Sequence, residues 1–221
     1  TTMAFDKRPQ TQYFGPITPS HICMLLLLSL IWSSSFVATN IGVKTIPPIT
    51  LTTLRLITAV LILVFITTFT GVVWGISRKI ISYCFWGGLF GCSLPFFLIG
   101  WGQTQIESGL AAVLMSIMPL FTLLLAHFFT KNEKINLVKS LGVLLGFSGI
   151  IFLFSDNILI NKNNFISALL ILCGSTFYVV GGLLTLKISN KKNENVTASI
   201  LIWGSLILLP ISFFIEQPWN F

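Results

Sequence analysis

From position 20 onward the chain alternates long apolar runs with short polar gaps. About 20 apolar residues are needed to cross a hydrocarbon core of ~30 Å. Seven runs meet that length, at 20–43, 49–72, 80–103, 108–129, 136–155, 165–187 and 196–215. Pro47 and Pro48 separate the first two. The stretch from Gly91 to Glu133 shows the pattern most sharply. Two apolar runs meet across a polar turn, Gln103 to Ser108, and each contains a proline, Pro95 and Pro119. Inside a water-soluble helix each proline would cost roughly 3 kcal/mol, because it removes a backbone donor and clashes with the preceding turn. Membrane helices tolerate it, since neighbouring helices and Ser/Thr side chains satisfy the released groups. The pattern therefore predicts an all-α polytopic membrane protein with kinked third and fourth spans.

Composition strengthens that reading. Of 221 residues 54% are hydrophobic and 9% charged, against about 25% charged in ordinary soluble domains. The mean hydropathy is +0.92. The lipid bilayer is the expected partner of so apolar a surface. The net charge is +7, but the basic residues lie in the gaps and form no aromatic-interleaved face, so no nucleic-acid partner is expected. Their distribution reports topology instead. Ten fall on one side: Lys7, Arg8, Arg78, Lys79, Lys131, Lys134, Lys139, Lys187, Lys191 and Lys192. Lys44 and Lys162 fall on the other. Lys and Arg collect on the cytoplasmic side, so the amino terminus is expected there. The first apolar run lacks a small-residue cleavage pattern and reads as a retained span. Cys23, Cys84, Cys92 and Cys173 all lie in apolar runs without metal-ligand spacing. They read as free thiols, and neither a metal nor a cofactor is expected.

An internal similarity suggests a repeat. LLSLIWSSSFVA around Trp32 aligns with LLILCGSTFYVV around Gly174, pairing Ser33 with Ser175, Ser34 with Thr176 and Phe36 with Tyr178. Spans one and six would then correspond. A repeat of five spans enters the membrane from the opposite side in its second copy, which is the inverted-repeat plan of many secondary transporters.

Polar residues at membrane depth mark the candidate site. Trp32, Ser33, Ser34 and Ser35 lie halfway along span one, and Ser175, Thr176 and Tyr178 near the middle of span six. Two readings stand side by side: small residues permit close helix packing, or they line a substrate cavity. Pro119 falls near the middle of span four, where a kink would free carbonyls at the depth of transporter substrate sites. Arg55 lies about seven residues into span two, ~10 Å deep at 1.5 Å per residue. It either snorkels to the interface, pairs with helix groups, or attracts an anionic substrate group. Glu107 is placed to cap span four. His21 and His127 lie near span ends and read as interfacial. Glu133 sits in a loop between Lys131 and Lys134, with a structural role in holding that loop or capping span five. No catalytic set is present: a seven-helix retinal protein would need a lysine in span seven, and an intramembrane protease a nucleophile with a base in reach.

Two stretches resemble the drug/metabolite transporter superfamily, in particular its EamA-type members. LIWSSSFVATNIGVKTIPPITLTTLRLITA is similar to the family's opening, with Trp32, Ser33, Pro47 or Pro48, and Arg55 at the matching places. SGLAAVLMSIMPLFTLLLAHFFTKNEKINLVKSLGVLLGFSGIIFLF is similar to its span-four proline, loop glutamate and glycine-rich fifth span, here Pro119, Glu133, Gly142, Gly146 and Gly149. The resemblance is clear over 20–154 and weaker over 165–215. It implies a helical transporter fold of two inverted five-helix repeats, ten helices when complete and about seven here. The expected layout is a cytoplasmic tail at 1–19, a first repeat at 20–155, and two helices of a second repeat at 156–221, a chain truncated by three spans. The implied function is export of small metabolites, such as amino acids or drugs, by alternating access across the bacterial inner membrane, without enzymatic chemistry. A homodimer is left open. The rival classes are a structural or assembly membrane protein and a seven-helix receptor, which the cytoplasmic amino terminus disfavours.

Overall fold

A computed structural model describes residues 18–69, 78–129, 137–155, 162–186 and 193–220. The described residues are helical throughout apart from turns. Glu133 lies outside them, as do residues 1–17 and Lys131, Lys134, Lys187, Lys191 and Lys192. Six helical stretches are long and apolar enough to cross a membrane: Pro19–Gly42, Pro48–Phe69, Ile80–Gly102, Ser108–Leu125, Asn164–Thr185 and Val196–Glu216. They coincide with six of the seven expected spans. The seventh, at 136–155, is the helix α7, Leu137–Ser155, in which Leu137–Gly146 forms a shorter apolar stretch.

The chain divides into two compact units after Ser35. The first holds most of α1, Pro19–Gly42. Proline suits a first helical position, where its missing N–H is no loss. Thr18 precedes it, and its N–H and hydroxyl both reach Nδ1 of His21, at 3.2 and 2.9 Å, an arrangement like a capping box. Residues 18–34 are all exposed.

The second unit runs from Phe36 to the end. Helix α2, Pro48–Phe69, opens on the second residue of the Pro47, Pro48 pair. Span three is continuous: α3, Arg78–Gly88, passes through a π turn, Leu89–Ser93, into α4, Leu94–Gly102. The π turn has a local cause. Pro95 cannot donate to the preceding turn, and the register shift is stabilised by Ser93, whose hydroxyl lies 3.1 Å from the Gly88 carbonyl and 3.0 Å from that of Gly204. Span four differs from the kinked helix expected. It breaks at Ser116 and Ile117 into α5, Ser108–Met115, and α6, Met118–Phe129. Pro119 is the second residue of α6, not the interior of one helix. The break tightens as a 3₁₀-type turn: the Ser116 N–H is shared between Ala112 and Val113, and its hydroxyl donates to Val113 at 2.6 Å. Then follow α7, α8 (Lys162–Leu186) and α9 (Asn193–Ile211), the last extended by a π turn, Ser212–Glu216.

Packing in this unit centres on α8 against α4 and α9 against α2 and α3. Small residues set the distances. A Cβ at Gly181 would overlap the Gly91 backbone, and one at Gly88 would lie 2.7 Å from the Ile200 carbonyl and 2.8 Å from the Gly204 nitrogen. Two apolar clusters result. One joins Ile99, Leu114, Met115 and Ile171, and the other Leu56, Cys84, Cys92 and Leu208.

Candidate functional site

The α2–α4–α8 junction brings together two of the residues singled out in the sequence. The Arg55 guanidinium lies over the ring of Phe96, 4.6 Å from its centroid. The same ring neighbours Tyr178, with centroids 6.1 Å apart and planes tilted by 40°. Arg55 is exposed, while Phe96 and Tyr178 are half-buried. The backbone beneath is fixed. Thr52 donates to the Pro48 carbonyl at 2.7 Å and to that of Phe96 at 3.4 Å, tying α2 to α4 one turn from Arg55. The result is a cation on an aromatic platform inside the apolar part of the chain. Such a contact contributes about 0.5–2 kcal/mol, more where water is excluded. No sequence pattern singles out Phe96. With 20 phenylalanines in the chain, nothing marks it until the fold sets it against both Arg55 and Tyr178.

The other candidates fall elsewhere. Ser175 is fully buried and donates to the Ile171 carbonyl at 2.8 Å, an environment of helix packing. Thr176 is half-buried and turns back to Leu172 at 3.0 Å. Pro119 is exposed on α6. Trp32, Ser33, Ser34 and Ser35 belong to the other unit. There Trp32 is 38% exposed, and Ser34 donates to Ile31 at 2.8 Å.

Two polar clusters at the α1–α2 turn end of the second unit have no counterpart among the sequence expectations. The first concerns Glu216, which follows the expected end of span seven at 215. The π turn carries the helix through it, and its carboxylate receives the N–H groups of Ile49 (2.9 Å) and Thr50 (2.6 Å) and the Thr50 hydroxyl (2.7 Å). The Thr50 hydroxyl also meets Ser212 at 2.8 Å. An anion here satisfies the orphan donors of the first turn of α2 and complements the helix dipole. The available signal was a Pro-Pro helix start with unsatisfied donors and a glutamate ending a span on the same side. In the second cluster Asn40 donates to the carbonyls of Gln103 (3.2 Å) and Ile106 (3.1 Å), while Gln103 donates to Phe36 at 3.1 Å. Gln103 is 2% exposed, and its Oε1 has no hydrogen-bond partner among the described residues. Glu107 departs from expectation. It occupies the N-cap position of α5, but its side chain makes no capping bond, consistent with the preference for shorter polar side chains there. A largely apolar cavity of about 350 Å³ lies beside the Glu216 clamp, between α2 and the end of α9, bordered by Thr50, Leu54, Leu209 and Phe213.

The profile of the EamA-like transporter family matches residues 19–155. Among curated relatives, the uncharacterized transporter YoaV of Bacillus subtilis is 27% identical over 195 residues, covering 87% of this chain and 66% of its own. An uncharacterized transporter encoded in the trpA 3′ region of Buchnera aphidicola is 31% identical over 124 residues, covering 55% of this chain and 40% of its own. A probable amino-acid metabolite efflux pump of Escherichia coli is 23% identical over 200 residues, covering 88% of this chain and 62% of its own. The chain thus spans two thirds or less of the length of these relatives. No solved structure matches it. With its apolar helices and a match over more than half its length, the chain is an integral membrane protein that belongs to the EamA-like transporter family.

Proposed function

We propose that this chain is the solute-handling part of a carrier that exports small metabolites, such as amino acids or drugs, across the bacterial inner membrane by alternating access. The observation that carries the reading is the Arg55–Phe96–Tyr178 group. Ionisable residues within membrane spans commonly mark solute pathways, and here Arg55 and Tyr178, a residue whose depth suits a cavity, share the Phe96 ring. The Escherichia coli relative, named as a probable amino-acid metabolite efflux pump, supports both the solute class and the direction. The basic-residue distribution supports an amino terminus in the cytoplasm, which makes the end holding Glu216 external. Thr176, Tyr178 and Pro119 are the proposed lining in the second unit. Trp32, Ser33, Ser34 and Ser35 keep their sequence-based assignment to the lining and are tested on their own.

Everted vesicles carrying the protein should accumulate labelled amino acids from a mixture, and Tyr178→Ala or Ser34→Trp should reduce that uptake while membrane insertion persists. Full uptake by both variants would overturn the lining. Reporters after Lys192 and after Lys162 should read cytoplasmic and external; the reverse would overturn the orientation.

A further inference from the structure

We propose that the junction between the end of α1 and the α4–α5 turn binds an alkali cation, with Oε1 of Gln103 as a ligand. The site goes beyond the transport reading and stands without it. Its residues all belong to the second unit, which begins at Phe36. The side-chain donors there are committed. Nδ2 of Asn40 gives one N–H to the Gln103 carbonyl (3.2 Å) and one to that of Ile106 (3.1 Å), which uses both. Nε2 of Gln103 donates to the Phe36 carbonyl at 3.1 Å. That bond fixes the amide, because the reversed orientation would set Oε1 against a carbonyl, acceptor against acceptor. Oε1 therefore lies on the other arm, buried and with no hydrogen-bond partner among the described residues, in a side chain 2% exposed. An acceptor so placed is costly unless something brings it a donor or a positive charge.

Three features select a cation over a water molecule. First, α1 ends at Gly42 and α4 at Gly102, so the negative ends of two helix dipoles meet at this cluster. Helix C-terminal ends and unwound carbonyls hold the coupling cations of secondary transporters in the same way. Second, the neighbouring groups are the carbonyls of Phe36, Gln103 and Ile106, and no basic side chain bonds to them among the described residues. Third, Glu107 directly follows Ile106, is exposed and makes no capping bond, so its negative charge stands beside the site. Neutral amide oxygens are hard ligands, suited to alkali ions and not to the soft metals that thiols select. Such a set leaves no Cys or His spacing in the sequence.

Sodium and potassium share this chemistry, so the test carries both. The full chain is placed in nanodiscs of phosphatidylcholine, a lipid without net charge. Tryptophan fluorescence, to which Trp101 two residues before Gln103 contributes, is titrated with sodium or potassium chloride against choline chloride at constant ionic strength. At least one alkali cation should give a saturable change that choline does not. Gln103→Leu should abolish it. Glu107→Gln alters an exposed side chain outside the hydrogen-bonded cluster, and it should weaken the ion about two- to fivefold with the fold unchanged. That variant keeps the test decisive where Gln103→Leu fails to insert. Responses equal to those with choline would leave Oε1 to a bound water and overturn the proposal. A saturable response that survives Gln103→Leu would place the ion elsewhere and overturn it too. Unchanged affinity in Glu107→Gln would put the ion out of reach of this end of α5, with the same consequence.

Discussion

Replacing Glu216 tests the packing account at a single carboxylate. Its two oxygens receive three donors from the first turn of α2, at 2.6 to 2.9 Å. Hydrogen bonds to a charged group contribute about 1.5–3 kcal/mol each, and a buried donor left without a partner costs about 1–3 kcal/mol. Glu216→Gln keeps one carbonyl oxygen, so one helix N–H retains an acceptor while another faces an NH₂ group. The expected loss is about 1–3 kcal/mol. Glu216→Ala removes all three bonds. The residue is only partly buried, so water recovers part of the loss, and the net cost should be about 2–4 kcal/mol. Thr50→Val removes the hydroxyl shared with Ser212 and leaves both N–H bonds, for about 1 kcal/mol. The order Glu216→Ala, Glu216→Gln, Thr50→Val is therefore fixed by the geometry. Reversible unfolding in mixed micelles measures the energies. Hydrogen exchange locates them, because the amides of Ile49 and Thr50 should lose protection before the middle of α2 does. Wild-type stability and unchanged exchange at these two amides in Glu216→Ala would refute the clamp.

Other sites give sharper contrasts. Gly181→Ala drives a methyl group into the Gly91 backbone and should destabilise by about 1–3 kcal/mol, whereas Gly182→Ala, next to it with open space around it, should be neutral or better in the same unfolding assay. Asn40→Ala leaves the Gln103 and Ile106 carbonyls without their shared donor and should cost about 1–2 kcal/mol; unchanged stability would remove that cluster from the account. Pro119→Ala restores a donor toward Met115. It should lengthen the helical protection across residues 116–117 in hydrogen exchange, and a break that persists unchanged would assign it to Ser116 instead.

The helices were legible in the sequence because the bilayer sets their length, and the runs at 20–43, 49–72 and 196–215 closely match α1, α2 and the Val196–Glu216 span. Which face each helix buries was not legible. A lipid-facing side is as apolar as a packed one, so the pattern has almost no helical period to read. Along α2, the leucine, isoleucine and phenylalanine positions do not sort by pattern: Leu61, Ile62 and Phe65 are exposed while Leu56 is buried. Polar depth marks Arg55 and Tyr178, but only the fold sets Phe96 against both. Ser175 matches the small-residue pattern and is buried in packing, because a hydroxyl that bonds its own preceding turn suits a helix interface as well as a cavity. Proline signals irregular backbone without its form: Pro95 follows a π turn and Pro119 a full break. The clamp of Glu216 on Thr50 joins positions 166 residues apart, a separation that no local pattern encodes.

The central claim is that Arg55, Phe96 and Tyr178 face a solute pathway open to water. Single cysteines placed by Tyr178→Cys and Leu61→Cys, in a background where Cys23, Cys84, Cys92 and Cys173 are replaced by alanine, measure this directly. Leu61 is 64% exposed on the same helix as Arg55 and serves as the apolar-surface control. A membrane-impermeant maleimide should label position 178 in native membranes, should leave position 61 unlabelled, and should be slowed at 178 by a transported solute. Equal labelling at both positions, or none at 178 from either side of the membrane, would contradict the account.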